Sequence, residues 1–431
     1  MTRLLSALAV LLLCACTLAR AQTTNVDAAF SAFWAAKTPQ EAARSVPKVL
    51  ESRVTFDDAL SRLKVGRPYA EKVPKGVVRR SYDVNGVEYF YALNVPDSYD
   101  PARRYQVRIQ LHGGVGREGN GPRGDGTIGA LAGAEQIYII PYAWREAPWW
   151  SDEQIASLGT ILDSVKRTYN VDENRVALAG VSDGGTGAFY VALRAPTPFA
   201  SFLSLNGFVM VLASVVKGDL FPNNFRNKPF FIVNGGMDPL YPTRIVEPFV
   251  RHLDENGVEL MYRPQPNGVH NTAWWPDVKD SFETFVRNHP RRPLPDVLTW
   301  ETSGTAFDDR VNWLVIDRLA PRSSSEERLA DLNFIGPNRI LMFENGYGPS
   351  GRVDLVRTGN TVKATTRGVA AFTLLLSPEM FDFSQPLRVE ANGKVVFEGR
   401  VERSVATLMK WAARDNDRSM LFAAELPIRV P

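Results

Sequence analysis

One pentapeptide combines the residue types that serve nucleophilic catalysis. Gly180-Val181-Ser182-Asp183-Gly184 follows the apolar run Val176–Ala179 and precedes a stretch with helical periodicity, Thr186–Arg194. A strand, a sharp turn and a helix in this order present a serine Oγ at the edge of a sheet, and small neighbours let the strand and the helix approach closely. The pattern predicts that Ser182 is a nucleophile directed at a carbonyl carbon.

A serine hydroxyl is a poor nucleophile unless a base removes its proton, and the chain has 4 histidines that can do so. His252 and His289 lie in or at the end of helical stretches, where the helix dipole favours a surface cation. His112 precedes two glycines, which indicates a different role. The remaining histidine, His270, lies in the loop Pro264–Asn271 after an apolar run. We therefore predict that His270 is the general base.

The acid that orients the base is expected between these two residues in the sequence. Asp238 follows the apolar run Phe230–Val233 and a glycine pair. A carboxylate at the carboxyl end of a parallel strand faces the same crevice as the nucleophile, where it can hold the imidazole tautomer. Asp238 is the predicted acid; Asp219 and Asp254 are the alternatives, and Asp238 could instead cap the helix that follows it.

A tetrahedral intermediate needs preorganised N–H donors. The residue after the nucleophile, Asp183, supplies one backbone N–H. The glycine-rich loop that follows the apolar run Val107–Leu111 supplies the other, and we predict Gly114 as the donor, with Gly113 or Val115 as alternatives. His112, in the same loop, is expected to be a structural hydrogen-bonding residue.

A sheet is needed to bring these distant residues together. Apolar runs alternate with helical patterns between residues 76 and 292, which predicts a mostly parallel sheet with helices on both faces. The pattern of residues 22–75 predicts a helical extension. Residues 297–431 are rich in strand patterns, which predicts a separate, mainly β domain. Asn85-Gly86 and Asn392-Gly393 each predict a hairpin turn.

These motifs resemble those of the α/β-hydrolase superfamily over roughly residues 77–289. The segment Val95–Asp100 and the Ser-Asp-Gly-Gly turn are most similar to secreted esterases of the feruloyl-esterase and polyhydroxyalkanoate-depolymerase-like branch, which overlaps prolyl-oligopeptidase-like hydrolases. The resemblance implies hydrolysis of carboxylic esters through an acyl-enzyme, with no cofactor and no metal. The alternatives are a serine peptidase, and a protein that binds a polysaccharide or a cell surface through residues 297–431 and carries a hydrolase domain.

Several tryptophans flank the predicted catalytic loops. Trp149, Trp150 and Trp274 are predicted to bind a flat or apolar part of an ester substrate, small or linked to a polymer, although each of them could instead pack in the core. A substrate carboxylate could alternatively be held by arginines of the same region: Arg117, Arg123 and Arg145.

The beginning of the chain has the pattern of a secretory signal peptide. Arg3 precedes the largely apolar run Leu4–Leu13, and Ala19-Arg20-Ala21 predicts cleavage after Ala21, hence a secreted or periplasmic protein. The apolar run is too short to span a bilayer comfortably, so no membrane span is expected. Both cysteines of the chain, Cys14 and Cys16, fall in this segment. The formal net charge of +3 over 431 residues gives no indication of a nucleic-acid partner.

Overall fold

A computed structural model describes residues 25–122, 124–216, 220–304, 309–321 and 350–431. The predicted signal peptide, residues 1–21, lies outside the described residues, as do Arg123 and Asp219. The described part of the chain contains one large mixed sheet, two smaller β-sheets and the helices that cover them.

The large sheet has eight strands in the order β1-β2-β4-β3-β5-β6-β7-β8. The first two strands form a hairpin, β2 is antiparallel to β4, and the pairs from β4 to β8 are parallel. The strands are β1 Gly76–Val84, β2 Val87–Val95, β3 Tyr105–Leu111, β4 Ile137–Pro141, β5 Val171–Val181, β6 Ser201–Leu205, β7 Phe230–Val233 and β8 Leu260–Tyr262.

Helices cover both faces of this sheet because its inner strands are apolar on both sides. Alternate side chains of β5–β7 belong to different cores: Leu178 and Phe202 pack with α4, α5 and α7, whereas Ala179 and Leu203 pack with α8. These helices are α4 Asp152–Thr168, α5 Asp183–Arg194, α6 Leu212–Val215, α7 Thr243–Glu255 and α8 Trp275–Asn288. The predicted fold class of the catalytic part, an α/β-hydrolase core, is confirmed.

The C-terminal part contains two sheets that share one apolar core with two fully buried tryptophans, Trp300 and Trp313. The predicted mainly β character is confirmed, and so is the hairpin at Asn392-Gly393. The strand orders are β10-β11-β14-β17 and β16-β15-β13-β12-β9. The strands are β9 Val297–Thr302, β10 Arg310–Val311, β11 Leu314–Leu319, β12 Gly351–Thr358, β13 Thr361–Arg367, β14 Val369–Leu376, β15 Leu387–Ala391, β16 Lys394–Gly399 and β17 Ala424–Arg429.

The helical extension packs against a helix from the other end of the chain. Helix α1, which includes residues 25–35, is followed by α2 Pro39–Glu51 and α3 Phe56–Val65, and all three share a core with α9 Val405–Asp415. Buried ion pairs join the C-terminal part to the catalytic part, including Arg418 with Glu173 at 2.6 Å. None of the helices in the described ranges is long and apolar enough to cross a membrane.

Candidate active site

Ser182 occupies the turn between β5 and α5 in a conformation that is strained for a residue with a side chain. Its φ is 55° and its ψ is −117°. Backbone hydrogen bonds hold the turn, because Ser182 N donates to Leu205 O at 2.8 Å and Thr186 N donates to Ser182 O at 3.0 Å. Strain of this kind persists only where the surrounding structure enforces it.

Two glycines make the turn possible because backbone packs directly against backbone. A Cβ on Gly180 would lie 2.1 Å from Gly184 O, and a Cβ on Gly184 would lie 2.3 Å from Leu111 O. Neither contact can be relieved by moving a side chain. The glycines of the pentapeptide therefore allow α5 to start against β3 and β5.

We expect Gly184→Ala to destabilise the fold by about 3 kcal/mol or more, because the added methyl overlaps a backbone carbonyl in a packed core. Urea denaturation measures the free energy of unfolding. Gly159→Ala is the matched control: Gly159 lies in α4 with no atom within 4 Å of a Cβ. This control should gain about 0.5–1 kcal/mol from helix propensity. Equal stability of the two variants would contradict the packing argument.

The three residues predicted to form a catalytic triad lie in hydrogen-bond contact. Ser182 Oγ is 2.8 Å from His270 Nε2, and His270 Nδ1 is 2.7 Å from Asp238 Oδ2. Asp238 is buried, and its Oδ1 accepts from Leu240 N at 2.8 Å and Tyr241 N at 3.0 Å. Because an ionised carboxylate only accepts hydrogen bonds, Nδ1 donates to it and Nε2 is left to accept from the serine hydroxyl.

Backbone hydrogen bonds join the turn that carries the acid to the turn that carries the base. Met237 N donates to Gly268 O at 2.9 Å, and Gly236 N donates to Gln265 O at 2.8 Å. A Cβ on Gly235 would lie 2.3 Å from Gly268 O, so the turns approach as closely as glycine permits. The distance between Asp238 and His270 is thus set by main-chain contacts.

The other candidates for the base and the acid lie elsewhere. His252 and Asp254 belong to α7, and His289 follows α8 and lies 3.2 Å from Glu259. His112 has a structural role, as expected. Its Nε2 accepts from Ala143 N at 3.1 Å, which leaves Nδ1 to donate to Gly113 O at 2.8 Å.

The predicted oxyanion loop lies against the nucleophile. A Cβ on Gly113 would be 3.0 Å from Ser182 Cβ, and Gly114 follows with a φ of 68° that favours glycine. Val115 N donates to Asp183 Oδ2 at 2.9 Å, so the third candidate donor is engaged by a side chain. Gly114 and its neighbour Gly113 remain the predicted donors, together with the backbone N–H of Asp183 at the start of α5.

The Asp183 side chain therefore has a role that sequence reasoning missed, since it fixes the oxyanion loop to the nucleophile turn. We expect Asp183→Ala to lower kcat for an ester about 10- to 100-fold, because the loop donors lose their fixed position while the backbone N–H of residue 183 remains. Asp183→Asn keeps an oxygen that can accept from Val115 N, so this variant should avoid most of that loss. Steady-state kinetics with p-nitrophenyl acetate test this, and equal rates for the two variants would contradict it.

The structure corrects the predicted substrate-binding role of two tryptophans. Trp149 is completely buried, and its Nε1 donates to His112 O at 2.8 Å, so it supports the oxyanion loop from beneath. Trp274 is buried in the core layer formed with α8. Trp150 is half-buried against the main core, and its substrate contact stays a prediction. Of the arginines proposed to hold a carboxylate, Arg145 is engaged by Glu118 at 2.7 Å.

An aromatic side chain beside the base, and a second one against it, were not singled out from the sequence. The Tyr241 ring lies edge-on to the His270 ring with centroids 5.7 Å apart, and Phe208 lies 5.9 Å from Tyr241. Burial raises the pKa of Tyr241, and the Asp183 and Asp238 carboxylates add to the effect. The phenol therefore stays protonated and can donate. Both residues follow sheet strands at the same edge, which is the signal that would have found them.

The chain is similar to several known proteins. The sequence model of the family described as "Putative esterase" matches residues 147–326, which include Ser182, Asp238 and His270. The probable feruloyl esterase C of Aspergillus niger is 27% identical over 242 residues, covering 51% of this chain and 84% of that protein. Cadherin-2A of Xenopus laevis is 23% identical over 127 residues, covering 28% of this chain. The match spans only 14% of the cadherin.

Among solved structures, a thermostable esterase is similar, with a TM-score of 0.41 and 20% sequence identity. The match covers 50% of this chain and 63% of that one. In the described ranges, no group of three or more His, Cys, Asp or Glu side chains is arranged to hold a metal ion.

Proposed function

We propose that this chain, which has the α/β-hydrolase fold and resembles esterases, hydrolyses carboxylic esters through an acyl-enzyme on Ser182. The observation that carries the proposal is the continuous chain of hydrogen bonds from Ser182 Oγ through His270 to Asp238, at 2.8 and 2.7 Å. It lies beside a glycine-rich loop with backbone donors. The matched esterase family and the feruloyl esterase relative support the same reaction.

The proposed reaction follows from the positions of the side chains. Ser182 Oγ attacks the ester carbonyl carbon while His270 Nε2 takes its proton, and the buried Asp238 carboxylate stabilises the imidazolium. The carbonyl oxygen becomes an oxyanion that accepts hydrogen bonds from the backbone N–H groups of Asp183 and Gly114. When the intermediate collapses, the bond from the acyl carbon to the alcohol oxygen breaks, and that oxygen takes the proton from Nε2. Water then hydrolyses the acyl-enzyme by the same sequence.

A serine peptidase would use the same triad, so the reaction class needs a direct comparison. We expect the purified mature chain to hydrolyse p-nitrophenyl acetate and to leave peptide p-nitroanilides intact, because the matched family model and the feruloyl esterase relative are both esterases. The ester releases p-nitrophenol and the anilides release p-nitroaniline, and absorbance measures both products. Turnover of the anilides at a rate comparable to the ester would replace the esterase proposal with the peptidase alternative.

Export is a separate part of the proposal. It is supported by the apolar run Leu4–Leu13 and the Ala19-Arg20-Ala21 pattern. Expression of the full chain in a bacterium, followed by fractionation and N-terminal sequencing, should give a secreted or periplasmic protein that begins at Gln22. A cytoplasmic product that keeps Met1 would overturn it.

Surface or polysaccharide binding through residues 297–431 stays a prediction. It can be tested with the full mature chain in pull-downs with insoluble polysaccharides. Binding by the Ser182→Ala variant would establish it independently of hydrolysis, and a failure across several polymers would count against it.

A further inference from the structure

Three exposed apolar side chains lie next to the acid and the base of the proposed triad. Met237 is 65% exposed, Leu240 56% and Val269 42%. Met237 directly precedes Asp238, Leu240 follows it by two residues, and Val269 directly precedes His270. We call these three residues the apolar rim. Exposing large apolar side chains to water is unfavourable, so three of them next to the reactive residues favour an apolar ligand at this place.

The segments that carry the apolar rim have no exposed charge. Residues 234–242 and 264–272 contain a single residue among Asp, Glu, Lys and Arg, which is Asp238, and its carboxylate is buried. A chain with 23% charged residues would place about four in segments of this length. Arg244 and Arg263 are exposed just outside these segments, so it is the two segments themselves that favour an uncharged apolar group over an anionic or a cationic one.

The backbone of the apolar rim is held by hydrogen bonds. Its two turns are joined by the backbone hydrogen bonds from Met237 N to Gly268 O and from Gly236 N to Gln265 O, and Asn271 N donates to Val269 O at 2.7 Å. The main chain under these side chains therefore has little conformational entropy left to lose when a ligand covers them, which favours binding through apolar contact.

The direction of the reaction decides which part of an ester meets the apolar rim. His270 Nε2 must return its proton to the leaving alcohol oxygen, so the alcohol portion lies on the His270 side of Ser182. The oxyanion donors, Gly114 and Asp183, lie on the loop and the helix start instead. Val269 is adjacent to His270 in the chain, and Met237 and Leu240 lie on the turn locked to it.

We propose that the apolar rim binds the alcohol portion of the substrate, so that the preferred esters carry an extended apolar alcohol. The inference rests on the proposed ester hydrolysis and deepens it by assigning the substrate class. Tyr241, which directly follows Leu240, is half-buried with its ring 5.7 Å from that of His270.

The experiment varies each half of the ester separately. Rates of acid release by the purified mature chain are measured for ethyl, butyl and hexyl acetate, and for ethyl acetate, ethyl butyrate and ethyl hexanoate. We expect kcat/KM to rise about tenfold from ethyl to hexyl acetate, because four more methylene groups become partly buried on the rim. The double variant Met237→Ser/Leu240→Ser should reduce this hexyl-to-ethyl ratio to about 2 or less.

Two further double variants make the test specific. Val297 and Val356 are neighbouring residues of β9 and β12, exposed to 64% and 50%, in a different sheet from the one that carries the triad. Val297→Ser/Val356→Ser removes a comparable exposed apolar surface and should leave the ratio at its wild-type value. Met237→Leu/Leu240→Met keeps the apolar surface and should also preserve the ratio. Thermal melting of each variant shows whether it is folded.

The possible failures are distinguishable. If folded wild-type protein hydrolyses none of the esters, the proposed function itself fails. If ethyl acetate is hydrolysed but the hexyl-to-ethyl ratio of kcat/KM is about 1, the rim proposal alone is overturned. The same holds if this ratio is unchanged in the serine double variant. A variant that loses its preference in the acyl series and keeps it in the alcohol series also overturns it. The proposal is also overturned if the hexyl-to-ethyl ratio is about 1 and sedimentation shows a wild-type dimer that dissociates in the serine double variant. The apolar rim would then be an interface between copies of the chain.

Discussion

Ser182→Ala is expected to lower kcat for p-nitrophenyl acetate by about 10⁴-fold or more and to abolish covalent labelling by a fluorophosphonate. The attacking oxygen is removed, and no other hydroxyl is described within hydrogen-bond distance of His270 Nε2 at this site. Alanine keeps the Cβ of serine, so the strained backbone at φ 55° is not relieved or worsened. Intact mass and peptide mapping identify the labelled residue, and steady-state kinetics give kcat.

A second serine provides the matched control. Ser204 lies on β6 beside the nucleophile turn, and its Oγ is buried without a hydrogen-bond partner. Ser204→Ala removes a hydroxyl of the same size from the same sheet and should keep both the label and the rate. A label on a residue other than Ser182, or activity that survives in Ser182→Ala, would show that Ser182 is not the nucleophile.

The triad could be predicted from the sequence because each member has a local signature. Ser182 lies between glycines at a strand–helix junction, Asp238 follows a buried strand, and His270 lies in the loop after the last strand of the large sheet. Chain order then brings together residues 182 and 270, whose side chains meet at 2.8 Å. Hydrogen-bonded parallel strands force this convergence, so the geometry needs no information beyond the order of the strands.

The positions of the tryptophan side chains could not be predicted in the same way. Position next to a catalytic loop does not tell on which side of the backbone a ring lies, and Trp149 is directed into the core beneath α5. Likewise, the amphipathic pattern of the N-terminal helices indicates that they pack on something but not on what. Their partner, α9, is about 350 residues away and could be identified only in three dimensions. Long-range pairing of this kind is set by the shape of the whole core.

Asp238→Asn is expected to lower kcat by about 10⁴-fold while the protein remains folded. The physical reason is specific to this site. In the native protein Oδ1 accepts from Leu240 N and Tyr241 N, while Oδ2 accepts from His270 Nδ1. In the variant those two backbone donors hold the amide oxygen in the Oδ1 position. The amide NH₂ must then face His270, where it can only donate.

Such a donor forces Nδ1 to become an acceptor, so the ring proton moves to Nε2. A protonated Nε2 cannot accept from the Ser182 hydroxyl, and the nucleophile loses its base although no distance in the site needs to change. Nitrogen-15 NMR of the His270 ring distinguishes the two tautomers: the wild type should carry its proton on Nδ1 and the variant on Nε2. A variant that loses activity with its tautomer unchanged would show that the charge of Asp238, rather than its control of the ring proton, supplies the effect. Full activity with the tautomer reversed would remove His270 from the role of base.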